Sequence, residues 1–362
     1  MLSDSKKISI RQAFFLFLTI VFSPATRLFP VYAAQNAKEA AWLAPIVSAI
    51  LLFLLVLVWN RINKSYTDAS LIHIYSDILG VFTGKLIGFT YLLWVTMLAA
   101  LYVRYFAIRL VGSIYPDTSQ NVFVISIIIL AIYILRYGLV TLARLNEIVL
   151  PLFLVTLVIL FIMITPYLKG TFLIPITYRS ILPITRAGVG IAAVFSYFTF
   201  VFILGDNINN KENIKKEGIK CSFLLTASTI LIIVMTVGTF SYSVIRRSQL
   251  PLLIAVKQIS LFNTLEKIES IVVAVWVFSD FILISFFILL GLRIIKLLFG
   301  ISDEKPFMGI YAIIVYFLAF YIANTVFELE NLSSFIMIPG NLFLGFVVPV
   351  LVFFIGRIRG KV

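Results

Sequence analysis

Long apolar runs recur along the whole chain, and short stretches rich in charges and turn residues separate them. Many of these runs reach the roughly 18 residues that a helix needs to cross a hydrocarbon core about 30 Å thick. The pattern therefore predicts about ten transmembrane helices. We place these spans at residues 10–33, 41–60, 80–112, 120–136, 142–167, 186–208, 218–244, 266–298, 307–327 and 335–356.

The composition agrees with this pattern, because 62% of the 362 residues are hydrophobic, 12% are charged, and the mean hydropathy is +1.10. A soluble domain is roughly 45–50% apolar and about 25% charged. In lipid the backbone polar groups of each span must be satisfied within the span, which favours helices. We therefore expect an all-α, multi-pass integral membrane protein with a single transmembrane domain over residues 1–362, surrounded by the lipid bilayer.

The charge balance is strongly basic, with 29 Lys and Arg against 16 Asp and Glu. In a soluble protein this excess would suggest nucleic acid binding, but here the basic residues lie in loops between apolar runs. We interpret them as determinants of topology and as contacts with anionic headgroups, so no nucleic acid partner is expected. Most of them lie in loops on the same side as the two termini, and short basic loops stay in the cytoplasm. Both termini are therefore predicted to be cytoplasmic.

Several classes of chemistry have no support in the sequence. Cys221 is the only cysteine and His73 the only histidine, so neither a disulfide within the chain nor a His/Cys metal site is expected. The chain contains no P-loop, dinucleotide fingerprint or Ser-His-Asp set. We predict no catalytic residues, no cofactor and no metal, and hence no enzyme.

The first candidate for a binding site is an interruption in span 1, where Ser23, Pro24, Ala25 and Thr26 lie inside an otherwise helical segment. Pro24 lacks a backbone N–H and disfavours helix just before it, so the chain is able to unwind there. Discontinuous helices bind charged ligand groups near the bilayer midplane. The alternative is a simple proline kink, which membrane helices tolerate.

Span 6 offers a second interruption, because small residues around Gly188 and Gly190 precede the hydroxyls of Ser196 and Tyr197. Such glycines permit either close helix packing or local unwinding. Spans 1 and 6 are corresponding members of two five-helix halves, at about 9–167 and 184–357. Interruptions at matching places in two halves indicate a transporter-type site, so we expect the second break near Gly190.

Ionisable residues within the spans are the next candidates. Asp280 is the only acid near the centre of a strongly apolar span, so it is expected to contact a ligand amine, a cation or a proton, or else to serve packing together with neighbours such as Ser279. Arg104 is a candidate partner for a buried acid or a ligand carboxylate. Arg109 lies nearer the helix end and is expected to extend to the headgroups.

Several segments, taken in order, resemble the B subunit of bacterial spore germination receptors, over nearly the whole chain. They are KISIRQAFFLF, AAWLAPIVSAI, RYF followed by Pro116 and Thr118, GLVTLARLNEIVLPLFLV and LEKIESIVVAVWVFSDF. The resemblance implies a LeuT-like fold of the amino acid/polyamine/organocation transporter superfamily, with a 5+5 inverted repeat and interrupted helices 1 and 6. It also implies nutrient sensing in the spore inner membrane, beside A and C subunits of the same receptor.

The chain departs from that family's pattern in two places. Many members carry a glutamate at the position of Ile108, and a Phe-Gly-Glu pattern appears here as Phe195-Ser196-Tyr197. The loss of two intramembrane acids weighs against proton-coupled transport and leaves Asp280 as the remaining candidate.

The leading hypothesis is a subunit that senses a nutrient germinant such as an amino acid, which binds at mid-membrane. The alternatives are an autonomous proton- or sodium-coupled amino acid transporter and a membrane scaffold without a ligand. The predicted ligand-binding residues are Ser23, Pro24, Ala25, Thr26, Ser196 and Tyr197, with Tyr102, Trp276 and Ser279 shaping the pocket.

Overall fold

The computed structural model describes residues 7–259, 268–323 and 325–362, which form a bundle of α-helices. In the first half these are α1 (Ile10–Ala25), α2 (Leu28–Ala37), α3 (Ala44–Ser65), α4 (Leu71–Leu79), α5 (Val81–Ser113), α6 (Gln120–Tyr137) and α7 (Leu139–Ile164). In the second half they are α8 (Ile181–Phe195), α9 (Tyr197–Val201), α10 (Ile214–Ile245), α11 (Pro251–Lys257), α12 (Ile268–Phe299), α13 (Met308–Tyr321), α14 (Val326–Leu332), α15 (Ile338–Leu342) and α16 (Val348–Ile358).

Eight helical segments of the described chain are long and apolar enough to cross a membrane. Two shorter apolar helices, Ile10–Ala25 and Lys305–Tyr321, correspond to predicted spans 1 and 9. Together these segments match the ten predicted spans in order. The prediction of an all-α, multi-pass membrane protein is confirmed.

Local sequence signals set several helix boundaries. Ser9 and Gln12 form a reciprocal capping box at the start of α1, which satisfies backbone donors that have no partner within the helix. Ser119 caps α6 by accepting a hydrogen bond from the Asn121 backbone. Gly138, with a φ of 90°, turns the chain between α6 and α7 in a conformation that side chains disfavour.

Span 1 is two helices, as predicted. Pro24 has no N–H to donate, and α1 ends one residue after it, at Ala25. The Thr26 N–H still reaches the Phe22 carbonyl at 3.3 Å, and α2 then begins at Leu28. The predicted interruption at Pro24 is therefore confirmed.

Span 6 is also interrupted, but the predicted position near Gly190 is wrong. Gly190 lies inside α8, where a Cβ atom would stand 1.9 Å from Cε1 of Tyr32, so this glycine permits close packing against α2. The break falls at Ser196, between α8 and α9, and the segment ends in a 3₁₀ turn over Phe202–Asn207.

The start of span 10 also differs from the prediction. Span 10 begins at Val326 rather than at residue 335, because Thr325 caps α14 by accepting a hydrogen bond from the Glu328 backbone. Two π-helical turns, at Ser333–Met337 and Phe343–Val347, join α14, α15 and α16. The predicted first residues of span 8, 266 and 267, lie outside the described residues.

The interrupted helices occupy the middle of the bundle. In the segment Tyr178–Asn207, 94% of the most apolar stretch is buried in protein, against 33% for Gln120–Tyr137. Helix α12 packs against α1, α5, α6 and α7. The interrupted sixth span (Tyr178–Asn207) is therefore central, whereas helix α6 (Gln120–Tyr137) presents most of its surface outward.

At one end of the bundle, segments that are far apart in the sequence contact one another directly. Strand β1 (Ile8–Ser9) pairs in parallel with strand β2 (Ile208–Asn209). Beside them, the Arg293 guanidinium donates to the Asp206 carboxylate and lies 3.9 Å from Glu304. By the predicted topology this is the cytoplasmic end.

Candidate solute-binding site

The interruption of helix 1 places four predicted residues, Ser23, Pro24, Ala25 and Thr26, in the buried interior. The Thr26 hydroxyl donates to the Ser23 carbonyl at 3.0 Å, and the Arg27 N–H donates to the Pro24 carbonyl at 3.2 Å. The carbonyls of Ser23 and Pro24 therefore already accept local hydrogen bonds.

Asp280 connects the interruption of helix 1 to two other helices. The Ser23 hydroxyl donates to Oδ1 of Asp280, and Nη1 of Arg109 lies 3.1 Å from Oδ2. The side chains of Asp280 and Arg109 are each only 6% exposed. A buried carboxylate requires a countercharge and hydrogen bonds, and here Arg109 and Ser23 supply them.

The sequence prediction for one of the two arginines of α5, Arg109, is wrong. Arg109 does not extend to the headgroups but lies buried beside Asp280, with its guanidinium 5.3 Å from the centre of the Trp276 ring. Arg104 instead stacks over Phe320 at 4.7 Å. Residues 102, 105 and 109 share one face of a helix, whereas 104 points elsewhere, so Arg109 faces the core.

The break between α8 and α9 is held by α15. The Ser196 hydroxyl donates to the carbonyls of Ala193 and Asn341, at 2.7 and 2.9 Å. Nδ2 of Asn341 also donates to the Tyr197 hydroxyl at 3.3 Å, and that hydroxyl lies 2.7 Å from the hydroxyl of Tyr102. Tyr102, Ser196 and Tyr197 thus belong to one hydrogen-bonded group that joins α5, the junction of α8 and α9, and α15.

The remaining predicted residues lie on α12. Trp276 is 3% exposed and lies against Arg109, as described above. The Ser279 hydroxyl is fully buried and has no hydrogen-bond partner among the described residues. A buried donor without an acceptor is costly, so Ser279 is the predicted residue with the clearest capacity to bind an added group.

A cavity of about 360 Å³, here called the outer cavity, lies beside α2, α8, α14 and the turn that follows α10. None of the nine predicted ligand-binding residues lines it. Its lining includes Arg27 and Tyr105. Arg27 follows Thr26 directly in the chain, and Tyr105 lies one helical turn after Tyr102 on α5, toward the predicted outer side. The predicted site therefore lies outside the lining of the outer cavity.

Arg27 contacts Tyr105 and Glu330 at the edge of the outer cavity. The Arg27 guanidinium lies 3.5 Å from the centre of the Tyr105 ring and 3.7 Å from Glu330 of α14. The Tyr105 hydroxyl donates to the Leu329 carbonyl at 3.2 Å. These contacts join the interruption of helix 1, helix α5 and helix α14 to one another.

Sequence reasoning missed Arg27, Tyr105, Arg109 and Asn341. For Arg109 and Tyr105 a signal existed, since both follow Tyr102 at helical spacing along one face. Asn341 follows a Pro-Gly pair within an apolar run, and a polar side chain in such a place marks helix contacts or function. Arg27 ends the interrupted segment itself.

A family model described as spore germination protein matches residues 7–327. Curated relatives in Bacillus subtilis (strain 168) include spore germination protein KB, 22% identical over 79% of this chain and 77% of the relative. Spore germination protein GerQB of Bacillus cereus is 24% identical over 88% of this chain and 87% of its own length. The putative spore germination protein YfkT of B. subtilis is 21% identical over 96% of both chains.

Solved structures show the same fold. MhsT, solved in complex with L-phenylalanine, superimposes with a TM-score of 0.67 at 12% identity, covering 97% of this chain and 98% of that one. A Na⁺-coupled sialic acid symporter in a substrate-bound, outward-open state gives a TM-score of 0.64 at 14% identity, covering 94% and 80%. The LeuT-like fold implied by the sequence resemblance is therefore confirmed.

Proposed function

Because this chain belongs to the spore germination protein family, whose model matches most of its length, we propose that it is the nutrient-sensing membrane subunit of a spore germination receptor. The family consists of permease-like membrane proteins rather than enzymes. In this proposal the germinant is a small solute such as an amino acid, and it binds at mid-membrane near the two interruptions.

The observation that carries the proposal is the group formed by Ser23, Asp280 and Arg109. It joins the interruption of helix 1 to α5 and α12 inside the bundle. A solute that binds next to it, with the free hydroxyl of Ser279 as one partner, would alter the contacts of three helices at once. Local binding would thereby bias the arrangement of the whole bundle.

Sensing requires that the solute binds one arrangement of the helices more tightly than another, because only differential affinity shifts an equilibrium. In the arrangement that the structure describes, which we call closed, Arg27 contacts the Tyr105 ring and lies near Glu330 of α14. We propose that solute binding changes the balance between this closed arrangement and an open one. Partner subunits of the A and C type would then respond to that change.

The electrostatics of Asp280 favour sensing over ion-coupled transport. Its charge is already matched by Arg109, and its other oxygen accepts from Ser23. A sodium ion or a transported proton at this carboxylate would have to compete with a buried guanidinium. The alternative, an autonomous proton- or sodium-coupled amino acid transporter, is favoured by the fold, which the chain shares with a Na⁺-coupled symporter.

The location follows from the same proposal. The receptor subunit would reside in the inner membrane of the bacterial spore, with both termini in the cytoplasm. In that orientation the outer cavity opens away from the cytoplasm, toward the side from which a germinant arrives.

The first test is a stability screen of the purified protein with amino acids, sugars and nucleosides. A solute that binds the folded state raises the midpoint of thermal unfolding, by an amount that grows with its concentration. We expect at least one such solute. If none of the three classes stabilises the protein at millimolar concentration, the proposal is wrong.

The second test separates sensing from transport. The solute found in the screen is supplied, radiolabelled, to liposomes that contain the protein and carry a proton or sodium gradient. We expect saturable binding without accumulation. Accumulation that disappears when the gradient is collapsed would instead establish the transporter alternative.

A further inference from the structure

A second cavity, here called the inner cavity, lies at the predicted cytoplasmic end of the bundle and has a volume of about 510 Å³. It is enclosed by the turn between α6 and α7, the 3₁₀ turn that ends the sixth span, the last part of α12 and the loop from α12 to α13. Its lining shares no residue with the outer cavity or with the nine predicted ligand-binding residues. The inner cavity is therefore separate from the candidate solute-binding site.

Most of the charges at the inner cavity are already paired. The buried Arg293 guanidinium, which lines it, donates to the Asp206 carboxylate just outside the lining. The Lys296 ammonium lies 3.3 Å from Oε2 of Glu304, and both of these residues line the cavity. Because opposite charges at such short distances largely cancel at longer range, these four groups leave little net charge to attract a ligand.

Two charged side chains of the lining remain, one of each sign. The exposed Lys305 has an ammonium group that forms no ion pair or hydrogen bond with the described residues. The exposed Asp303 accepts a hydrogen bond from the Lys305 backbone N–H at 3.2 Å, but its carboxylate has no cationic partner among the described residues. The lining therefore offers one group for an anion and one for a cation, which suits a zwitterion.

Exposed rows of apolar and aromatic side chains lead from the inner cavity along the membrane. Helices α6 and α13 pack against each other, and α6 ends at the cavity where α13 begins. The side chains of these rows recur at helical spacing and are Ile129, Tyr133 and Tyr137 on α6 and Ile310, Ile314 and Phe317 on α13. A molecule with a zwitterionic head in the cavity and hydrocarbon chains along these rows would match both surfaces.

We propose that the inner cavity binds the headgroup of a zwitterionic phospholipid with a primary ammonium group, namely phosphatidylethanolamine. The lipid phosphate accepts hydrogen bonds from the Lys305 ammonium, and the lipid ammonium donates to the Asp303 carboxylate. The acyl chains follow the exposed rows of α6 and α13. A choline headgroup has no N–H donor for Asp303, and a glycerol headgroup has no ammonium, so both lipids should bind more weakly.

The proposal is tested by the thermal unfolding midpoint of the full chain in detergent, titrated with phosphatidylethanolamine, phosphatidylglycerol or phosphatidylcholine with identical acyl chains. We expect phosphatidylethanolamine to stabilise the protein at the lowest concentration. Lys305→Gln and Asp303→Asn should each weaken this binding about tenfold or more, the loss of one charge-assisted hydrogen bond. The matched control is Lys216→Gln, an exposed lysine of α10 outside the lining, which should bind like the unaltered protein.

A second measurement locates the bound lipid without altering either charged residue. Ser302→Cys places a thiol at an exposed position in the lining, and Asn213→Cys places one at an exposed position outside it. The native Cys221 is buried. Phosphatidylethanolamine should slow maleimide labelling at position 302 relative to phosphatidylcholine, and labelling at position 213 should be equal in the two lipids.

Three results would overturn the proposal. Equal stabilisation by the three lipids would remove the headgroup preference, and a preference that persists in both Lys305→Gln and Asp303→Asn would place the lipid elsewhere. Stabilisation by soluble glycerophosphoethanolamine at the same concentration as by the lipid would identify a site for a soluble zwitterion instead. The inference does not depend on the proposed sensing function, which the solute screen tests separately.

Discussion

The hydroxyl of Ser23, one residue before the proline that interrupts helix 1, donates a hydrogen bond to the carboxylate of Asp280, 257 positions later in the chain. The second oxygen of this carboxylate faces Arg109 of α5 at 3.1 Å. The interruption of helix 1 is therefore not a free hinge, because it is tied to both α5 and α12. Any rearrangement that opens the bundle has to shift or break these contacts.

Replacing Asp280→Asn should destabilise the protein strongly. The amide keeps a hydrogen bond to Ser23 but leaves the charge of Arg109 buried without a countercharge. Breaking a buried ion pair in this way costs about 3–5 kcal/mol. The effect is measured as the loss of unfolding free energy in detergent, and germinant response should fall with it.

The paired substitution Asp280→Asn with Arg109→Met provides the control for that prediction. Since it removes both charges, it should be less destabilised than the sum of the two single variants. Strict additivity of the two losses would mean that Asp280 and Arg109 do not interact in the folded protein.

Ser279→Ala should reduce solute binding with little change in stability. Its hydroxyl is buried without a partner among the described residues, so its removal sacrifices no internal hydrogen bond. Ser285 is the matched control, because its hydroxyl on the same helix is equally buried and unpartnered. We expect weaker binding of the stabilising solute for Ser279→Ala alone; equal effects of the two variants would remove Ser279 from the site.

Tyr197→Phe should be more destabilising than Tyr102→Phe. The Tyr197 hydroxyl contacts both Tyr102 and Asn341, so its loss leaves two buried polar groups without that partner. Loss of the Tyr102 hydroxyl still leaves Tyr197 bonded to Asn341. We expect a loss of about 1–3 kcal/mol for Tyr197→Phe, and a smaller one for Tyr102→Phe, from unfolding curves. The reverse order would contradict the described network.

Gly345→Ala should disturb the break in helix 6. A Cβ atom at this position would lie 2.3 Å from both Cβ and Oγ of Ser196 and 2.9 Å from its carbonyl oxygen, so backbone would have to move. Overpacking of this kind costs about 1–3 kcal/mol. Gly309→Ala, also in a helix, meets nothing within 4 Å and should be neutral or slightly stabilising.

The architecture and the interruption of helix 1 could be predicted from the sequence because both depend on local properties. Apolar runs of membrane-spanning length need no knowledge of neighbours, and Pro24 interrupts a helix through its own covalent structure. The break in helix 6 could not be placed in this way. Ser196 has nearly helical backbone angles (φ −64°, ψ −14°), and its hydroxyl bonds to Asn341 from another helix.

The contacts of the site were harder to predict than its location. Arg109 was assigned to the headgroups from its distance to the helix end, but the face it occupies, shared with Tyr102 and Tyr105, places it next to Asp280. The outer cavity depends on four segments that are far apart in sequence, so no local pattern reveals it. The ligand-binding roles of the predicted residues remain predictions.

Strand β1 pairs with strand β2, and Ile8 lies opposite Ile208. This pairing constrains the order in which contacts can form during synthesis. During synthesis the N-terminal strand has no partner until the ribosome has passed the end of helix 6. Helix 1 is therefore synthesised well before this strand pair can form. A ribosome stalled before Ile208 should thus expose the N-terminal segment to protease.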